Sequence, residues 1–145
     1  MTMKNGIIVL ALVLGAFMAN SFSKKKVVDE GKGIAFFEGS WDDALSKAKK
    51  ENKLIFLDAY ASWCGPCKRL KANVFPQEQV GKVFNQKFIN VKMDMEKGEG
   101  PVIAEKYNVT AYPTLLFING DGKVVRKALG YHKAEELIEL ANGAK

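Results

Sequence analysis

Two cysteines, the only two in 145 residues, stand two apart in the stretch Trp63-Cys64-Gly65-Pro66-Cys67-Lys68. No other feature restricts the chain as much. The stretch follows an apolar run, Leu54 to Tyr60, and leads into sequence of helical character. A Cys-x-x-Cys pair at such a junction reads as a redox site, because the loop it encloses is too small to restrain an unfolded chain much. A helix start supplies unpaired N–H groups and the positive end of the helix dipole. Both favour a thiolate at Cys64, the attacking species. Cys67 falls one turn later on the same face, where it can expel a mixed disulfide formed by Cys64. Half of a zinc site is the other reading, but zinc takes four ligands and His132 is the only further one offered. No metal is expected.

The first 21 residues read as a leader. Met1 to Asn5 carries one lysine, Gly6 to Ala19 is uncharged and mostly aliphatic, and Ala19-Asn20-Ser21 supplies the small residues of a cleavage site. A retained anchor is the alternative, although the apolar run is short of the roughly 20 residues a spanning helix needs. Lys24-Lys25-Lys26 sits badly with both, since positive charge there resists export. No cysteine lies near the apolar run, which excludes a lipoprotein anchor. Residues 22–33 read as a tether and 34–145 as one domain. The net charge of +6 gives no reason to expect a nucleic-acid partner. From Val27 onward 18 basic residues face 16 acidic ones, a balance too even for a phosphate-binding surface.

Within the domain, Ile34 to Phe37 is a candidate first strand. Ser40 and Asp43 have capping-box spacing ahead of a helix through Glu51, and Leu54 to Tyr60 is apolar enough for a strand covered on both faces. Leu70, Val74 and Phe75 continue the helix that holds the cysteines until Pro76 interrupts it; Val80, Val83 and Phe84 resume the period. Phe88 to Met95 alternates as a strand, and Pro101 opens a short helix. Thr114 to Ile118 and Lys123 to Leu129 flank the turn Asn119-Gly120-Asp121-Gly122, and Lys133 to Ala141 closes as a helix. The order is β-α-β-α-β-α-β-β-α, with parallel crossovers first and then an antiparallel hairpin.

That order, with Trp-Cys-Gly-Pro-Cys-Lys after the second strand, resembles the thioredoxin family over about Ile34 to Gly143. Asp58 matches the family's buried strand aspartate, Lys92 the lysine beside it, and Ala111-Tyr112-Pro113-Thr114 the cis-proline turn. The surrounding sequence is most similar to exported thioredoxin-like domains such as the C-terminal domain of DsbD-type thiol:disulfide interchange proteins. The resemblance implies a three-layer α/β thioredoxin fold, with a mixed sheet of about five strands and about four helices. It implies thiol:disulfide exchange without an added cofactor. Cys64 is then the nucleophile and Cys67 the resolving thiol, while Asp58 exchanges a proton with Cys67 and Lys92 moderates Asp58. Trp63 lies over the pair, Gly65 and Pro66 tune it, and Tyr112, Pro113 and Thr114 receive an extended substrate strand. Gly-Pro between the cysteines resembles reducing thioredoxins, near about −270 mV against roughly −120 mV for the oxidant DsbA. Tyr112 looks more like isomerase domains, so oxidase or isomerase activity stays open beside reduction, as does a binding module without turnover. The expected partners are exported proteins with cysteines and a membrane thiol:disulfide reductase as electron donor, with the protein itself a monomer in the periplasm or a comparable exported location.

Overall fold

Leu54–Tyr60 forms β1, and its near-continuous apolarity has a simple cause: the strand lies inside the sheet and is covered on both faces. The computed structural model describes residues 33–145; the expected leader and all but the last residue of the expected tether lie outside the described residues. Helix α1 (Trp41–Glu51) precedes β1, and the Ser40–Asp43 pair caps it reciprocally. After β1 come α2 (Gly65–Arg69), a π-helical segment (Leu70–Val74), α3 (Glu78–Lys87) and β2 (Phe88–Asp94). Then follow α4 (Gly100–Lys106), the hairpin of β3 (Thr114–Ile118) and β4 (Val124–Leu129), and α5 (Ala134–Gly143). The sheet runs β2-β1-β3-β4, with β2 parallel to β1, β3 antiparallel to β1 and β4 antiparallel to β3.

Because strand side chains alternate between faces, β1 divides its residues between two cores. Ile55, Leu57 and Ala59 pack with Trp41, Ala44, Ile103 and Tyr107, from α1, α4 and the residue after α4. Phe56 packs on the other face with Leu70, Phe84, Phe88, Phe117 and Leu137, in an aromatic layer under the π segment, α3 and α5. Asp58 is two residues beyond Phe56 and so shares that second face, the one covered by the cysteine-bearing helix.

Three differences from the sequence reading have local causes. Residues 34–37 do not form a strand, so among the described residues the sheet has four strands rather than five. The Ile34 N–H goes to the Phe75 carbonyl (2.8 Å), while the Ala35 N–H goes to the Asn85 side chain (2.8 Å) and the Phe37 N–H to the Asn90 carbonyl (2.7 Å). With its donors scattered over a helix end, a side chain and one strand residue, the segment has no ladder to join. Secondly, five α-helices and the π segment stand among the described residues in place of the expected four helices. The third difference lies before Pro76, where the Phe75 N–H bonds to the Leu70 carbonyl, five residues back, at 3.0 Å. The helix widens to a π turn before the proline stops it.

Candidate active site

The junction of β1 and α2 assembles the site. Cys64 is the cap residue of α2, and its sulfur occupies the place of a capping oxygen, accepting the Cys67 N–H at 3.2 Å. Its own N–H goes to the Ala61 carbonyl and its carbonyl accepts from Lys68, each at 3.1 Å, which fixes the turn on both sides. Cys64 and Cys67 are joined by a disulfide across 5.3 Å between their Cα atoms. Only 3% of Cys64 and 5% of Cys67 is exposed, so the pair presents a narrow edge to an approaching sulfur. The two pack against Ala61, Tyr60 and Tyr112.

Trp63 stands outward, 66% exposed. Its ring meets that of Tyr112 edge-on at 5.9 Å, and its indole N–H donates to a Glu96 carboxylate oxygen at 2.8 Å. Gly65 is exposed and a side chain there would meet no neighbour, while Pro66 is half-buried in the first turn of α2. Across from the cysteines, the Tyr112–Pro113 peptide bond is cis. Pro113 and Thr114 are buried, and Tyr112 is partly exposed. The Thr114 hydroxyl donates to the Ala111 carbonyl at 2.7 Å, and the Gly130 N–H donates to the Pro113 carbonyl at 2.8 Å. The β3–β4 register, which sets Leu129 opposite Thr114, brings Gly130 there.

Behind the pair, Asp58 is buried, and its Oδ1 has no hydrogen-bond partner among the described residues. Burial raises its carboxyl from 3.8 to about 7, and the Lys92 charge pulls in the opposite direction. The two residues are register partners on adjacent parallel strands, so their side chains leave the sheet on one face. Asp58, Cys67 and Lys92 line one cavity of about 430 Å³. Besides the cysteines and the Gly65-Pro66 turn between them, the six other sequence-marked residues fall in two groups around the disulfide. Asp58 and Lys92 lie behind Cys67, while Trp63 and the Tyr112–Thr114 turn lie on the other flank. Glu96, which holds the Trp63 indole, and Gly130, which ties down the proline turn, went unmarked in the sequence. Hairpin register carried a signal for Gly130; nothing local marks Glu96. Among the described residues no cluster of three or more His, Cys, Asp or Glu could hold a metal.

A mixed four-stranded sheet with helices on both faces, and a Cys-Gly-Pro-Cys disulfide where β1 turns into α2, define a thiol:disulfide oxidoreductase. The chain belongs to the thioredoxin-like family, whose model matches residues 41–145. It is similar to an H-type thioredoxin of Oryza sativa subsp. indica, 42% identical over 106 residues that make up 72% of this chain and 81% of that one. Among solved structures it is similar to a candidate disulphide-isomerase from Bacteroides thetaiotaomicron, with 49% identity, a TM-score of 0.68, and coverage of 79% of this chain and 98% of that one. The oxidised C-terminal domain of Neisseria meningitidis DsbD matches with 26% identity and a TM-score of 0.63, over 77% of this chain and all of that one (100%).

Proposed function

We propose that the protein is a disulfide reductase for exported proteins, working through the Cys64/Cys67 dithiol. In the reduced state the Cys64 thiolate attacks a client disulfide and one client sulfur leaves as thiolate. Cys67 then attacks Cys64 in the mixed disulfide; the second client thiolate departs, and the Cys64–Cys67 disulfide forms. Two electrons pass to the client. The observation that best supports this cycle is the Cys67 N–H aimed at the Cys64 sulfur, since a donor that caps a thiolate stabilises the attacking form. Asp58 accepts the Cys67 proton as that thiol attacks, a role favoured by its carboxyl at about 7, where carboxylate and acid are both populated near neutrality. Lys92 keeps part of that population ionised. Gly65 leaves the approach to Cys64 open and Pro66 stiffens the turn, while Trp63, Tyr112, Pro113 and Thr114 border the path of the client strand.

The domain spans 34–145, behind a leader over 1–21 and a tether over 22–33. Export rests on that leader's composition and on the likeness to the DsbD domain. Among the described residues no helix is long and apolar enough to cross a membrane, which leaves the leader as the segment to examine. A reductant in an oxidising compartment needs electrons from elsewhere, hence a membrane thiol:disulfide reductase as donor. Isomerase activity is the second reading, favoured by the Bacteroides relative.

The test is insulin reduction by the wild type, Cys64→Ser and Cys67→Ser. The expected results are turnover in the wild type alone and a mixed disulfide trapped by Cys67→Ser on non-reducing gels. No activity in any form would favour a binding module, and equal activity in Cys64→Ser would place the reduction outside the Cys64/Cys67 pair. In cells, thiol trapping should find the pair cycling; a permanently oxidised pair counts against the reductase reading.

A further inference from the structure

The cavity behind Cys67 shares no lining residue with the Tyr112–Thr114 side of the site, and its chemistry exceeds what proton exchange requires. At about 430 Å³ it falls in the size range of small-molecule sites. Its walls combine two features. Phe36 and Phe75 supply an aromatic corner, their rings edge-to-face at 5.6 Å. Lys68, Lys71 and Lys92 supply positive charge: neither Lys68 nor Lys71 has an acidic partner among the described residues, and Lys92 Nζ is held 5.1 Å over the Phe36 ring. Lys97, also on the wall, is taken up by Asp94 at 3.6 Å. The cavity also reaches Asp58, a buried carboxyl with an oxygen that no group among the described residues satisfies. Unpaired cations, flat apolar walls and one unsatisfied acid describe a receptor for an anion carried on a ring.

We propose that this cavity is a second binding site, for a small aromatic carboxylate whose charged group lies among Lys68, Lys71 and Lys92 and whose ring rests against Phe36 and Phe75. Binding follows from the cavity alone; its effect on turnover rests on the reading of Asp58 as proton acceptor. A bound carboxylate neutralises Lys92 and shuts water out, so Asp58 keeps its proton and takes the one from Cys67 less readily. Occupancy therefore slows client reduction.

The test titrates benzoate into the ¹⁵N-labelled full chain, with benzyl alcohol and acetate as probes that keep only the ring or only the charge. Saturable shifts are expected at the amides of Ser62, Lys68, Lys71 and Phe75 for benzoate. Affinity should be about tenfold weaker for each partial probe, and about tenfold weaker for benzoate with Lys71→Glu, an exposed position outside the catalytic machinery. Failure to saturate by about 100 mM, or undiminished binding to Lys71→Glu, overturns the site. Insulin reduction with and without benzoate separates the two readings. Binding as described without any change in rate upholds the site and counts against Asp58 as proton acceptor.

Discussion

Burial holds the Asp58 carboxyl up at about 7, well above its ordinary 3.8, although Lys92 opposes the change. The folded protein therefore keeps a proton between these pH values that the unfolded chain has already released. Stability falls as pH rises through this window, and the loss is complete above the folded value. Its size is on the order of 4 kcal/mol for a carboxyl displaced by about three pH units. Asp58→Asn removes the charge without changing the shape. Urea melts at pH 5 and pH 8 should show the wild type losing stability between them and the variant nearly unchanged, with the variant ahead by about 2–4 kcal/mol at pH 8. A wild type equally stable at both pH values would mean that water or a counter-charge reaches the carboxyl. The aspartate was legible in the sequence because every close neighbour in its strand is apolar. Its missing hydrogen bond was not, since that depends on what the helix above fails to supply.

At the level of elements, the chain follows its sequence wherever a local signal controls a local structure. The Ser40–Asp43 spacing became a reciprocal cap, Asn119 accepts from the Asp121 and Lys123 N–H groups at the hairpin turn, and Pro76 ended a helix. The chain departs from its local sequence signals where distant residues decide. An apolar run at 34–37 looks like a strand until Asn85 and Asn90 claim its polar groups, and their amides gave no warning of it. The π turn before Pro76 has no sequence period of its own. Helix α3 meets the incoming chain at Gly81, where a methyl group would lie 2.3 Å from the Gly33 carbonyl oxygen. Gly81→Ala should therefore destabilise by about 1–3 kcal/mol despite alanine's better helix propensity, a cost that denaturation midpoints would show. A change to alanine at an exposed position of α3, Gln86→Ala, should alter stability by less than about 0.5 kcal/mol.

Across the whole molecule, the two faces of the sheet are unequal. One is closed by aliphatic residues and the Trp41–Tyr107 pair; the other is built round Phe56, Phe84, Phe88 and Phe117, with neighbouring ring centroids 4.7 to 6.4 Å apart. Phe84 touches the other three rings, and Phe84→Ala should cost about 3–5 kcal/mol, a large share of the 5–15 kcal/mol typical of a domain. A shift in thermal midpoint of only a degree or two would mean that the layer closes over the gap. The disulfide at the head of α2 has a further consequence. Cutting its bond and melting the chain are two legs of one thermodynamic square. If the native pair is the stronger reductant, its crosslinked form must withstand heat better than the dithiol form, by about 1.4 kcal/mol for each 30 mV that separates the folded potential from that of the denatured chain. Calorimetry on the two forms thus measures, without any client present, how far folding moves the pair toward reductant or oxidant.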